Sequence, residues 1–147
     1  MAVSRRTCLA LGGGGGLAAL SGCLDFGSET PQLSLTLLNF DSERHEIDVE
    51  VFLADAEEYT DAVVLRERYE LSPPPEGAVA AERTDDDALE SDTYVVDVAV
   101  STAPAVSDTY HFYPALVDDD DRTDRLFIEL RTDPDSGDRY IDFQQNH

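Results

Sequence analysis

The chain predicts an all-β domain, an antiparallel sandwich of about seven or eight short strands, and three observations carry that expectation. Apolar residues recur at every second position, most clearly at Ile47, Val49, Val51 and Leu53, which alternate with Asp48, Glu50 and Phe52. Turn-forming clusters of Gly, Pro, Asn and Asp separate such runs by about a dozen residues, the spacing of hairpins and sheet crossings. The 41% hydrophobic content falls in β-branched and leucine runs able to make a sheet face, so a folded core is expected.

Taken in order, ordered structure is expected from near Leu33. Leu33, Leu35 and Leu37 lie on one side of a period-2 run, with Ser34 and Thr36 on the other. Residues 39–45 are polar turn chemistry, so this run and the one from Ile47 to Leu53 are expected to pair as an antiparallel hairpin with a loop of about 5 to 7 residues. Residues 54–61 are acidic and suit a loop or a helical turn. Val63, Leu65, Tyr69 and Leu71 then alternate with Arg66, Arg68 and Glu70, with Glu67 intruding on the apolar side. Arg and Glu also favour helices, but Pro73-Pro74-Pro75 stops the run abruptly and its neighbours are strands, so a strand is preferred.

Residues 77–83 suit a short edge strand, followed by an acidic loop around Asp85-Asp86-Asp87. Tyr94, Val96, Val98 and Val100 against Val95, Asp97 and Ala99 make a half-buried strand. Residues 110–113 make a short aromatic strand ended by Pro114, and residues 118–121 a second acidic loop. Leu126, Ile128 and Leu130 alternate with Phe127 and Glu129; a turn at 133–138 leads to a last strand at 140–143. The tetrapeptide Ser-Asp-Thr-Tyr occurs at 91–94 and again at 107–110, a spacing that fits two successive hairpin strands entering with the same turn chemistry.

Charge is the outlier. All 10 basic residues are Arg, and 32 Asp and Glu bring the net charge to −22. Arg5 and Arg6 lie in an N-terminal segment without acids, so the rest of the chain carries 8 Arg against 32 acids, a net charge of −24. Such a surface repels nucleic-acid phosphates and anionic lipid headgroups. Self-repulsion of that size destabilises a fold unless salt screens it, and the Debye length falls to about 3 Å at 1 M salt. The Asp-rich, Lys-free, Arg-retaining composition resembles that of proteins from extreme halophiles, the haloarchaea in particular, and implies a surface holding hydrated cations diffusely.

Residues 4–23, SRRTCLALGGGGGLAALSGC, say where the chain goes. Arg5 and Arg6 followed after two residues by an apolar residue resemble the twin-arginine export motif, although Cys8 stands where that family usually has Phe. The apolar stretch 9–20 is too short for the roughly 20 residues of a membrane span and is interrupted by five glycines. Leu20-Ser21-Gly22-Cys23 resembles a lipobox, whose cysteine receives a diacylglycerol thioether before cleavage. The expected organisation is a lipoprotein signal peptide at 1–22, lipidated Cys23 and a polar tether at 23–32, and a β-sandwich domain at 33–147. Cys8 leaves with the leader, so Cys23 becomes the sole thiol and no internal disulfide is possible.

Asp92-Thr93-Tyr94 entering a strand resembles the tyrosine corner of immunoglobulin-like domains, where the hydroxyl bonds back to the preceding loop. The layout of residues 33–113 is similar to the small immunoglobulin-like domains of haloarchaeal lipoproteins, which implies an immunoglobulin-like sandwich and leaves the last two strands as an addition without an assigned place.

Site chemistry is sparse. A blue-copper centre needs a Cys, two His and usually Met, yet Cys23 is claimed by lipid and Met1 by the leader. His45, His111 and His147 show no zinc-ligand spacing. There is no Gly-x-Ser-x-Gly and no Cys–His pair, so no enzymatic activity and no cofactor are expected. Asp133, Asp135 and Asp138, on alternating acidic positions around Gly137, form a weak calcium candidate, with the neutral Gln144 where a bidentate Glu would close the loop. The expected function is a non-catalytic, lipid-anchored accessory or binding module on the outer face of the cell membrane of a halophilic archaeon, presenting loops to a protein or envelope partner. The alternative is a cation- or solute-binding lipoprotein that uses its Asp-rich loops.

Overall fold

Period-2 alternation resolves into two facing sheets. The computed structural model describes residues 30–57, 62–116 and 123–146. The expected export motif at Arg5 and Arg6, the expected lipidation residue Cys23, most of the expected tether, residues 58–61, the acidic segment 118–121 and His147 lie outside the described residues. The strands are β1 (Gln32–Asn39), β2 (His45–Leu53), β3 (Val63–Leu71), β4 (Ala81–Glu90), β5 (Tyr94–Val100), β6 (Val106–Phe112), β7 (Thr123–Thr132) and β8 (Arg139–Asn146). One sheet runs β4-β1-β7-β8 and the other β3-β2-β5-β6.

The core is the space between them. Leu33, Leu35, Leu37, Leu126, Ile128 and Leu130 of the first sheet meet Ile47, Val49, Val51, Val96, Val98 and Val100 of the second, all essentially inaccessible to solvent. At about 25 cal/mol per Å² of apolar surface removed from water, these rows are the main favourable term holding the sheets face to face.

Strands β1 to β6 follow the order of an immunoglobulin-like domain. β1 pairs with β4 as strand B does with E, while β3, β2, β5 and β6 reproduce the C′-C-F-G sheet. The Tyr94 hydroxyl, at the start of β5, donates to the Glu90 carbonyl oxygen at 2.6 Å, which is the tyrosine corner anticipated from Asp92-Thr93-Tyr94. The two added strands extend the first sheet. β7 lies parallel to β1, with Leu35 opposite Leu126 and Leu37 opposite Ile128, and β8 pairs antiparallel with β7 at the edge. The sheet is therefore mixed, and the one parallel ladder departs from the all-antiparallel expectation.

Three local expectations change. β1 and β2 are not a hairpin: they lie in opposite sheets, and residues 40–44 cross the sandwich. Both arrangements bury the same leucines and valines, so alternation alone does not separate them; the Phe40 N–H donates to the Leu130 carbonyl of β7 and directs the chain across. The run Asp85-Asp86-Asp87 is no loop but the middle of edge strand β4, bulged where its register on β1 shifts. Asp87 takes a positive φ of 52°, which Asp tolerates better than most residues, and its N–H donates to Ser34 Oγ. Finally, Ser107-Asp108-Thr109 lies inside β6, whereas Ser91-Asp92-Thr93 precedes β5, so the repeated tetrapeptide does not mark two equivalent turns.

The pairing pattern gives the sandwich two distinct poles. β1 enters at one, together with the ends of β2, β4, β6 and β8; this is the entry pole. The far pole carries connections 40–44, 72–80, 101–105 and 133–138.

Candidate functional site

Far-pole connections are tied to one another by buried polar side chains. Asn39, fully buried at the end of β1, donates from Nδ2 to the Glu43 and Ser72 carbonyls at 2.8 and 2.9 Å, and its Oδ1 accepts from the Asp41 N–H at 3.0 Å. One side chain thereby shapes connection 40–44 and fastens the exit of β3 to it.

Next to it, His45, Asp41 and Arg139 form a network. His45 Nε2 lies 2.7 Å from Asp41 Oδ2, and Arg139 Nε lies 3.6 Å from the same oxygen. Arg139 Nη1 approaches His45 Nδ1 at 3.4 Å, an arrangement satisfied when Nε2 carries the imidazole proton and Nδ1 accepts. Arg139 Nη2 also donates to the Ala103 carbonyl at 2.8 Å, and Nη1 to Thr102 O at 3.4 Å. The Arg139 side chain is 8% exposed, and its fork reaches two connections from the first residue of β8.

Asp41, Glu43 and His45 also bring one potential ligand atom each within 4.8 Å of one another. The Arg139 guanidinium already faces Asp41 as the local cation, and a second positive charge there would meet its repulsion. His45 and Arg139 thus share one oxygen of Asp41 and brace the connection. His111, also considered as a ligand, is exposed on β6, far in the fold from His45.

Asp133 closes its own turn. Its Oδ1 accepts from the N–H groups of Asp135 and Ser136 at 2.8 and 3.0 Å, and these bonds, Ser136 first and then Asp135, hold its carboxyl below the usual carboxylate range. The Gly137 N–H donates to the Asp133 carbonyl, and Gly137 supplies the positive φ of 76° that the turn needs. Asp135 and Asp138 are exposed, and among the described residues these three carboxylates are not gathered as a ligand cluster.

The entry pole has a different character. Tyr110 stacks on Phe143 with ring centroids 5.1 Å apart, its hydroxyl lies 3.2 Å from Gln145 Oε1, and Gln145 Nε2 donates to the Tyr113 carbonyl. Tyr113, Pro114, Ala115 and Leu116 line an open hollow together with Thr93, Tyr110 and Gln145. Leu116 is fully exposed and Tyr113 is 59% exposed.

Each described arginine has an assigned partner. Arg44 pairs with Glu70, Arg66 with Glu50 and Arg68 with Asp48 on the outer face of the second sheet. Arg83 covers the Tyr69 ring, Arg125 the Phe127 ring and Arg131 the Phe40 ring, while Arg139 holds the far pole. These are fork and stacking geometries that a lysine ammonium reproduces poorly, a structural counterpart to a chain that keeps Arg and has no Lys.

No protein-family model and no curated protein matches this sequence. Among solved structures, the chain is similar to that of a candidate cell adhesion protein from Bacteroides fragilis NCTC 9343, with 10% sequence identity and a TM-score of 0.36, over 81% of this chain and 46% of that one. The chain thus spans just under half the length of that structure, and the sandwich is read from its own strand order.

Proposed function

We propose that this chain is a non-catalytic binding module, held through lipid on Cys23 at the outer face of the membrane of a halophilic archaeon and presenting its far-pole connections to a protein of the cell envelope. The observation that carries the reading is one of position. The lipobox cysteine precedes Gln32 by only a short tether, and Gln32 opens β1 at the pole opposite the four braced connections. Connections held by Asn39 and Arg139 need little further ordering when a partner binds, which lowers the entropic cost of association. A non-catalytic role is supported by the engagement of the buried titratable groups in structural bonds: His45 with Asp41, and Tyr69 with Asp85. Cation binding at residues 133–138 is the weaker reading, because Asp133 spends an oxygen on its own backbone.

Cys23→Ser is expected to move the protein from the membrane fraction to the medium; unchanged membrane retention refutes the anchor. Photo-cross-linking on intact cells from a probe at Val79, exposed in connection 72–80, is expected to give a discrete protein adduct, and its absence refutes the binding role. Calorimetric titration of calcium in molar potassium chloride is expected to show no stoichiometric heat; a tight, saturable signal would favour the cation reading instead.

A further inference from the structure

We infer that the entry-pole shelf formed by Tyr113, Pro114, Ala115 and Leu116 rests on the lipid bilayer that holds Cys23, so that the domain stands with its far pole outward. The inference deepens the anchored reading and rests on it. Residues 24–31 separate the lipidated cysteine from β1. Fully extended, such a tether spans about 30 Å, and as a flexible coil about 15 to 17 Å. The pole at which it arrives is therefore kept within that distance of the headgroups, and it is the pole that exposes Leu116 and Tyr113 around one open hollow.

The shelf is fastened to β8 at its first residue. Gln145 holds the Tyr113 carbonyl, and Tyr110, which lines the same hollow, is itself stacked on Phe143. A tyrosine with an apolar body and a polar tip beside a bare leucine is the chemistry favoured at the boundary of acyl chains and headgroups. Contact by two side chains would be weak for a free protein. Tethering raises the effective concentration of the surface to the millimolar range, where weak contact becomes populated.

Charge is the objection, since Asp55 and Glu57 lie at this pole and the sequence places four aspartates at 118–121. In molar salt, with a Debye length of about 3 Å, their repulsion from anionic headgroups is confined to direct contact, while apolar burial is not weakened. The contact is therefore engaged in high salt and released as salt falls, the opposite of a basic membrane anchor.

The chain contains no Trp, so a single introduced indole reports its own position. Leu116→Trp changes a side chain outside the core. The lipidated protein carrying it is placed on vesicles of diphytanoyl phosphatidylcholine and phosphatidylglycerol in molar potassium chloride, and flotation and emission are measured together. The expected result is co-flotation, blue-shifted emission and quenching by chain-brominated lipid, reversed by diluting salt to a level at which circular dichroism stays native. Val79→Trp, at the far pole, is expected to remain water-like and unquenched. Co-flotation with water-like, unquenched emission from Leu116→Trp overturns the inference and leaves the anchor standing; failure to float overturns the anchored reading and this inference with it. Blue-shifted emission without vesicles in a Cys23→Ser background also overturns it. The shelf would then be covered by the tether itself if the shift is independent of protein concentration, or by a second copy if it grows with concentration.

Discussion

The Tyr69 hydroxyl of β3 donates a hydrogen bond to Asp85 Oδ2 of β4, 2.9 Å away, and so joins the two sheets at one open edge of the sandwich. The other edge is closed in the same manner, by Tyr110 of β6 and Gln145 of β8. Burial first, then the bond to Asp85 and its charge, push the Tyr69 phenol far above its ordinary value. Removing this bond with Tyr69→Phe is expected to cost about 1 kcal/mol, measured by urea denaturation in molar potassium chloride. The pH dependence has a definite sign. The folded phenol holds its proton more tightly than the unfolded one, so this stability is complete below about pH 10 and falls as pH rises further. Tyr69→Phe should flatten that alkaline loss in thermal melts, with a residue left by Tyr94, whose phenol burial also raises.

Tyr94→Phe keeps the ring packed near Phe112, 6.4 Å between centroids, but deletes the hydroxyl that the Glu90 carbonyl accepts. A loss of about 1 kcal/mol is expected. The effect should be local as well. Amide exchange should quicken around residues 91–93, where the Ser91 N–H binds Pro31 O and the Ala54 N–H binds Thr93 O.

Arg139→Lys tests whether the far pole needs a fork and not merely a charge. An ammonium cannot reach Asp41 and the carbonyls of Thr102 and Ala103 together, so the substitution is expected to lose about 1.5 to 3 kcal/mol, as for hydrogen bonds to a charged group. Hydrogen exchange should rise in connections 40–44 and 101–105 while β5 stays protected. Equal protection in wild type and variant would show that the fork is not what holds them.

Lowering salt to about 0.1 M is expected to unfold the domain, because the Debye length lengthens to about 10 Å and the excess of acids is no longer screened. The exposed pairs of Arg44, Arg66 and Arg68 are too few and too solvated to offset it. Circular dichroism followed through the dilution checks this. A native spectrum at the lowest salt would count against adaptation to brine.

Sequence legibility follows the range of the interactions concerned. β5 was readable to the residue, because Tyr94, Val96, Val98 and Val100 face a core on one side only and alternation reports that directly. β1 was readable as a strand but not as a central one: Ser34 and Thr36, expected on the open face, are nearly as buried as the leucines, because strands pack on both flanks of β1 and small side chains lie beneath longer neighbours. The edge strand β4 was hidden by its aspartates, which an edge accepts because one face and one flank remain in water. The far-pole network was not readable at all. Asp41 and His45 are local to each other, but Arg139 comes from a strand 94 residues beyond His45, and nothing in the spacing of an arginine announces which carbonyls it will meet.

The parallel ladder between β1 and β7 has a mechanical meaning for a tethered domain. Under the proposed anchoring, a pull from the N-terminal side enters at Gln32, on a strand flanked by β4 on one side and β7 on the other. With the opposing load applied at the far pole, the force runs along the strand axis. Both ladders then resist together in shear, where an edge strand would be peeled away one hydrogen bond at a time. The added C-terminal strands thus give the first strand of the domain a second ladder, so that it is held on both flanks.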